Sequence, residues 1–403
     1  MLAHRSCIYG LCLRSVDILT MKKKIVIVED DLIIQELHKH YVEDLGHEVI
    51  ACCTSGQEAI DFFRDHHADL ILMDVRLEDS LDGIDTIKKI QEIRAVPVLY
   101  VTGNTEDANF RRAIETNMKG FVTKPISPDE LEKVIDSLKE LTDSILFAEN
   151  IQKSILPQRK DFHRIFEDCL FINRPRNTIS GDFSVISKRK DQKDLIVAIG
   201  DCTGHGVPAA LLSVLSHGII NRGCRKTRKL REILLDLNNN ILRNLSRLGS
   251  EHNVPDGLDL VIARIDPEDS VIRISGMRMA FIHYQAKLKS AEYLSFRGQS
   301  IGSRIQNSEE ISFMEFPYEP GDYFYFFSDG VTDQFGGSFS KKLSRKGLLE
   351  YINKLHQGND INKEIELDLS LRKWQGTHEQ TDDIILLGFD PSTIHYLKDA
   401  GHA

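Results

Sequence analysis

Leu195-Ile-Val-Ala-Ile-Gly-Asp-Cys-Thr-Gly-His-Gly206 is an apolar run that stops at a carboxylate and then turns on two glycines. Its first six residues read as a buried strand, with Asp201 at the strand end. Three other stretches repeat the pattern. Ser180-Gly181-Asp182-Phe183 places an aspartate after a glycine, and Ser328-Asp329-Gly330 follows the run Tyr323-Phe-Tyr-Phe-Phe327. Thr381-Asp382-Asp383 precedes Ile384-Ile-Leu-Leu387. An Asp-Gly after a strand is also an ordinary turn, so no one stretch decides the matter alone. Strand-end carboxylates that converge from distant positions can hold hard divalent cations, which want several oxygen ligands. Two such ions close together turn water into a nucleophile and clamp a phosphoryl group.

The region around these stretches mixes strands with two helical patterns. Leu258–Ile265, Val271–Ser275, Phe281–Tyr284 and Tyr323–Phe327 read as strands. Val207–Asn221, with Pro208 in its first turn, and Leu230–Leu248 read as helices. In this order and with these neighbours, the stretches resemble the metal-dependent type-2C serine/threonine phosphatases (PPM family). The bacterial branch typified by the sporulation stage II protein E phosphatase is the best match. The resemblance spans about residues 150 to 390 and includes Asn173-Arg-Pro-Arg176, Asp256-Gly-Leu-Asp259, Gly298-Gln-Ser-Ile-Gly302, Trp374-Gln-Gly and Glu379-Gln-Thr-Asp-Asp383.

The resemblance implies an α+β domain, an antiparallel β-sandwich flanked by helices. It implies two Mn²⁺ or Mg²⁺ ions, with Asp201 bridging them. Asp182 and the Cys202 carbonyl would complete one site, Asp329 and Asp382 the other, with Asp383 behind them. A bridging water would attack the phosphorus of phosphoserine or phosphothreonine. His205 would either donate a proton to the leaving oxygen or only shape the Gly204–Gly206 turn. Arg174 and Arg176 would orient the phosphate, because a guanidinium can bind two of its oxygens. The chain departs from the family at Ser180, where glycine is usual, and at Gly276-Met-Arg-Met279, where many relatives carry glycine-histidine.

The N-terminal third has a different rhythm. Lys24-Ile-Val-Ile-Val28, Leu70-Ile-Leu-Met73, Pro97-Val-Leu-Tyr-Val101 and Gly120-Phe-Val-Thr123 are short apolar runs. Helical patterns at Leu32–Leu45, Gly56–His66, Gly83–Ile93 and Asp107–Thr116 lie between them. The alternation predicts an α/β doubly wound parallel sheet with its ligands at the carboxyl ends of the strands. Glu29, Asp30, Asp74, Thr102 and Lys124 all stand there. These residues resemble the receiver domain of two-component response regulators, a five-stranded parallel sheet, over about residues 22 to 140. The resemblance makes Asp74 the phosphoryl acceptor. Glu29, Asp30, Asp74 and the Arg76 carbonyl would hold one Mg²⁺, and Thr102 and Lys124 would bind the phosphoryl oxygens. Phe121 matches the switch aromatic, with a plain core residue as the alternative, and Lys124-Pro125 matches a cis bond. The loop from Arg76 to Gly83 is long and acidic, and its extra carboxylates would compete for the metal or be solvated.

A helix is expected from Pro128, with acidic residues in its first turn. Leu131, Val134, Leu138, Leu141, Ile145 and Ala148, then more weakly Gln152 and Ile155, form a heptad seam. Its first half reads equally as the receiver's last helix packing on its own sheet. The expected map is a disordered extension at 1–20, with Met21 as the start, then a receiver at 21–140. A helical coiled-coil-like linker at 141–157, a phosphatase domain at 158–391 and a tail at 392–403 follow.

The chain has 403 residues, a formal net charge of −10 and no apolar run long enough to span a bilayer. No transmembrane helix is expected, and the acidic balance argues against nucleic-acid binding. No helix-turn-helix pattern suggests a transcription factor. Seven cysteines without metal-ligand spacing fit reduced thiols in a cytoplasm. The expected function is a cytoplasmic, homodimeric response regulator with a phosphatase output. A sensor histidine kinase would phosphorylate Asp74, and the phosphoprotein substrate implied by the resemblance is an anti-sigma factor antagonist, in partner switching. The alternative is a catalytically inactive phosphatase-like adaptor that binds a partner when phosphorylated. Such adaptors lose their metal carboxylates, and here all four are present.

Overall fold

The computed structural model describes residues 22–395, apart from 79–80, 95, 104–111, 114–115, 117, 189–193, 205, 228, 246–256, 304–310 and 359–361. The chain forms two compact units, Met1–Asp143 and Ser144–Ala403. The expected extension at 1–20 lies outside the described residues.

In the first unit β1 (Lys24–Val28), β2 (Glu48–Cys53), β3 (Leu70–Asp74), β4 (Val98–Thr102) and β5 (Met118–Thr123) form one parallel sheet in the order β2-β1-β3-β4-β5. This is the doubly wound receiver fold expected from the alternation. The fifth strand, β2, lies at the sheet's edge, where its residues are mostly half-buried. The central strands are apolar on both faces and feed two separate cores. Val26, Val28, Ile71, Met73, Val98 and Tyr100 line one. Ile25, Ile27, Leu70, Leu72, Leu99 and Val101 line the other.

Three helices, α1 (Leu32–Asp44), α2 (Gly56–Asp65) and α3 (Gly83–Ile93), begin on the side-chain caps Asp31, Ser55 and Asp82. The helix expected over Asp107–Thr116 lies largely outside the described residues. Next comes α4 (Pro128–Ile155), 28 residues long, and the boundary between the two units falls inside it. Leu131 is buried in the receiver core and Val134 packs against it, so the start of the heptad seam is the receiver's own packing. Leu141 is 56% exposed and Phe147 66% exposed further along the same helix.

The second unit continues through α5 (Arg159–His163) into two antiparallel sheets of five strands. One has the order β13-β10-β9-β8-β7, where β7 is Phe183–Lys188, β8 Leu195–Cys202, β9 Leu258–Asp266, β10 Val271–Met277 and β13 Phe313–Pro317. The other has the order β12-β11-β14-β17-β6, where β6 is Cys169–Arg174, β11 Ala280–Gln285, β12 Ser290–Ser295, β14 Tyr323–Phe327 and β17 Ile384–Phe389. The sheets pack face to face. Leu195, Val197 and Ile199 of β8 meet Phe281, Phe324, Ile385 and Leu387 from the opposite sheet. The alternate residues Ile196 and Ala198 face a second core with α6 (Val207–Lys226) and α7 (Leu230–Leu245). A third core packs α9 (Ser344–Leu355) and α10 (Lys363–Gln375) on the other sheet's outer face. The result is a helix-covered β-sandwich, as the family resemblance implied.

Gly200 shows how tightly the strand end is built. A Cβ there would lie 2.4 Å from two ring atoms of Phe183, the residue after Asp182. We expect Gly200→Ala to destabilise the second unit by about 1–3 kcal/mol, as overpacking does. The sole tryptophan, Trp374, belongs to this unit and reports its urea unfolding by fluorescence.

Candidate active sites

In the receiver unit the strand ends gather charge. Carboxylate oxygens of Glu29, Asp30 and Asp74 lie within 4.8 Å of one another. Lys124 Nζ donates to Asp74 Oδ2 at 2.5 Å and to Glu29 Oε1 at 2.9 Å. Burial pushes the Glu29 carboxyl up to about 7, the Lys124 hydrogen bond opposes this, and the Asp74 charge adds to it. Burial and the Lys124 charge push the nearby His38 down to about 4. The Arg76 amide donates to Asp74 Oδ1 at 3.1 Å, and the Glu78 amide to Asp30 Oδ2 at 2.8 Å. Thr102 is buried at the end of β4, where its carbonyl accepts from the Lys124 amide at 2.8 Å. Glu29, Asp30, Asp74 and Lys124 border an open cleft of about 520 Å³. The three carboxylates offer the hard oxygen donors and the spacing that one divalent cation needs. Phe121 stacks on buried Tyr100 with ring centroids 5.6 Å apart, and Lys124-Pro125 is cis.

In the second unit four elements converge. Asp201, next to last in β8, pairs in register with Asp259 of β9. Asp182, 1% exposed, precedes β7 and accepts from Ser328 Oγ at 2.6 Å. Asp329 opens the short helix α8 (Asp329–Asp333), and Asp382 and Asp383 precede β17. Asp383 accepts from the Gly181 and Arg176 amides, each at 2.7 Å, which ties the Asp182 loop to the start of β17. Gly330 makes the approach possible, since a Cβ there would lie 2.0 Å from the Asp383 carbonyl oxygen.

Burial raises Asp182, Asp201 and Asp329, and the charges of the neighbouring carboxylates add to it. Asp201 feels Asp182, Asp329, Asp382 and Asp259 at once. Buried carboxylates that repel one another must keep protons or take up cations. The donor set therefore suits divalent ions. Among the described residues, however, only the receiver trio has its oxygens gathered within 4.8 Å.

The other expected site residues fall out differently. Arg174 is committed elsewhere: its guanidinium pairs with Asp368 on α10 and also donates to the Asp368 carbonyl at 3.0 Å. Its position at the end of β6, beside that helix, explains why it does not offer itself to a phosphate. The Arg176 side chain is exposed, and its contribution to the site is the amide bond to Asp383. Cys202 is buried and its thiol pushed far up, so only its carbonyl remains as a donor. His205 lies outside the described residues.

Gln152 was not read as a site residue. It was placed on an apolar seam, yet it is buried beside the Asp182 loop. Its amide nitrogen donates to the Ser180 carbonyl at 2.7 Å and to Ser213 Oγ at 3.1 Å, and its oxygen accepts from the Ser180 amide at 3.1 Å. A glutamine inside an apolar repeat was the available signal.

The comparisons agree with this geometry. The model of the response regulator receiver domain matches residues 25–136, and that of stage II sporulation protein E matches residues 191–391. The polar-differentiation response regulator DivK of Brucella ovis is 34% identical over 119 residues, 29% of this chain and 96% of DivK. The chain belongs to the response regulators. Its second unit is a phosphatase domain of the stage II sporulation protein E type. The transcriptional regulatory protein CrdR of Helicobacter pylori is 29% identical over 151 residues, 34% of this chain and 70% of CrdR. The SiaA-PP2C domain of Pseudomonas aeruginosa shares the second unit's fold at a TM-score of 0.55 and 24% identity, over 63% of this chain and 98% of that domain. This response regulator thus carries a phosphatase output. No helix among its described residues is long and apolar enough to cross a membrane.

The raised Glu29 has a consequence for the receiver. A proton on the raised Glu29 carboxyl competes with a cation for the same oxygens, and the competition grows as pH falls. Mg²⁺-dependent labelling of Asp74 by acetyl phosphate should therefore slow as pH falls from about 8 to about 6. The slowing should be smaller in Glu29→Gln, whose amide does not titrate, as measured by acid-labile phosphate incorporation.

Proposed function

We propose that this response regulator is a metal-dependent protein phosphatase acting on phosphoserine and phosphothreonine, and that phosphorylation of Asp74 sets its activity. The observation that carries the reading is that burial raises Asp182, Asp201 and Asp329 and the charge of Asp382 adds to each of them. These four, with the Cys202 carbonyl, would hold two Mn²⁺ or Mg²⁺ ions, and Glu29, Asp30, Asp74 and the Arg76 carbonyl one Mg²⁺. Bound divalent cations lower the pKa of water and neutralise phosphoryl oxygens. Asp383 fixes the Asp182 loop through its bonds to two backbone amides. Water attacks the phosphorus, the bond to the seryl or threonyl oxygen breaks, and a proton passes to that oxygen. No phosphoryl-enzyme forms on the phosphatase side.

In the receiver, Asp74 attacks the phosphorus of a phosphohistidine and the phosphorus–nitrogen bond breaks, with the proton going to the imidazole. Lys124 already touches Asp74 and would pair with the new phosphoryl group, and Thr102 would donate to it. The phosphodonor would be a sensor histidine kinase. By family resemblance the substrate would be an anti-sigma factor antagonist. Exposed Leu141, Phe147, Ile151 and Ile155 on α4 support a homodimer through that helix. The setting would be cytoplasmic.

Asp201→Asn should abolish phosphate release from a phosphothreonine peptide in Mn²⁺ and leave folding nearly unchanged. Full activity in that variant would sink the reading. Asp74→Ala should take up no acid-labile phosphoryl group from acetyl phosphate, and labelling equal to the wild type would move the acceptor elsewhere.

Regulation would run along α4, whose first half enters the receiver core and whose last turn sets Gln152 beside the Asp182 loop. Coupling of about 1–3 kcal/mol would change turnover roughly 5- to 150-fold. Replacing Leu141 and Ile145 with Asp should make turnover indifferent to acetyl phosphate. A double variant that still responds like the wild type would show coupling by another route.

A further inference from the structure

The carboxylates Asp201 and Asp329 open onto a cleft of about 940 Å³. Its walls carry Arg278, Arg297 and Arg345, in a chain whose formal net charge is −10. The cleft thus has an acidic floor and a basic rim.

Arg278 stands where the chain crosses between the two sheets, after β10 ends at Met277 and before β11 begins at Ala280. Its φ of 55° is left-handed, a conformation that the crossing imposes on a non-glycine residue. The guanidinium is loosely held. Nη1 donates to Ser300 Oγ at 3.2 Å, and Nε stands 3.8 Å from Asp259 Oδ2. Ser300 Oγ itself donates to Asp259 at 2.6 Å, so Asp259 keeps a short bond if Arg278 leaves. Asp259 is the register partner of Asp201, which puts Arg278 beside the catalytic edge. Arg345 is steadied by the face of Tyr293, 4.9 Å from the ring centroid, and Arg297 is exposed.

We propose that this cleft binds a phosphorylated protein segment rich in Asp and Glu. Arg278 holds the phosphoryl group, and Arg297 and Arg345 pair with the flanking carboxylates. The inference rests on the phosphatase reading above and names its substrate class. A guanidinium presents a planar fork that fits both phosphate and carboxylate, and its bonds to anions are stronger than those to a neutral hydroxyl. Exchange of the Ser300 bond for a phosphoryl dianion is therefore favourable. A basic rim also raises the encounter rate of an acidic segment and repels a basic one.

The test uses the full chain with Mn²⁺ and three fluorescein-labelled phosphothreonine peptides that differ only in their flanks, which are Glu, Gln or Lys. Binding is read by anisotropy and turnover by phosphate release. The Glu-flanked peptide should bind about tenfold more tightly than the Gln-flanked one, with the Lys-flanked peptide weakest. Added salt should shrink the difference, because the contacts are open to solvent. Arg297→Glu, a change at an exposed position, should invert the order. Arg278→Gln should weaken all three peptides about tenfold, and Arg278→Lys should restore part of the loss, since it keeps the charge and loses the fork. Equal binding of the three peptides, or an order unmoved by Arg297→Glu, would overturn the inference. Phosphate release without flank preference would keep the phosphatase reading and reject this groove. Flank-dependent binding without release would keep the groove and reject hydrolysis.

Discussion

Like charge held out of water is the constraint on which the second unit depends. Asp182, Asp201 and Asp329 are each raised by burial and then by the charges of neighbouring carboxylates, and Asp382 acts on all three. Such a group is tolerated only where backbone and hydroxyl donors keep it in place. Ser328 serves Asp182, and the Gly181 and Arg176 amides serve Asp383. These bonds join the loop before β7, the end of β14 and the start of β17, which lie far apart in the chain. The folded state therefore fixes a site that prefers added positive charge, and cation binding would stabilise the fold that creates the site.

The receiver meets the same problem with a smaller charge and an internal counter-ion. Lys124 reaches both Asp74 and Glu29. Two carboxylates and one ammonium, with Asp30 at the rim, leave room for one divalent ion and for a phosphoryl group that Lys124 can follow. The contrast suits the two chemistries. The aspartate proposed as the nucleophile, Asp74, has the Lys124 ammonium against it. Carboxylates that would only ligate can be crowded together, because the metals replace their protons.

Legibility in the sequence follows the range of the interaction. The strand-end aspartates are readable because a continuous apolar run and the carboxylate that borders it are adjacent in the chain. The parallel and antiparallel sheets are readable for the same reason, through run length and spacing. Arg174 is misleading because its partner, Asp368, lies 194 residues away on a helix whose docking no local pattern announces. The Asp259–Ser300–Arg278 group is equally hidden, since it forms only when β8, β9 and the sheet crossing meet. The heptad seam fails differently. Leu131 and Val134 satisfy a helical repeat by packing into the receiver core. The same repeat further along carries the exposed Leu141 and the buried, hydrogen-bonded Gln152. Periodicity shows which residues share a face, not what that face meets.

Gln152 also bears on how little energy a switch would need. Its side chain makes three hydrogen bonds, two of them to the backbone of Ser180, two residues before Asp182. Leaving a buried amide or its partners unsatisfied costs about 1–3 kcal/mol. That is the size of a typical allosteric coupling, also about 1–3 kcal/mol. Withdrawal of this one side chain, by a small shift of the last turns of α4, would therefore release the Asp182 loop with energy enough to change turnover. The carboxylate group amplifies such a shift, because repulsion between buried charges rises steeply as they approach. A helix end that holds one loop, beside carboxylates that repel one another, would make the proposed phosphatase sensitive to its connector.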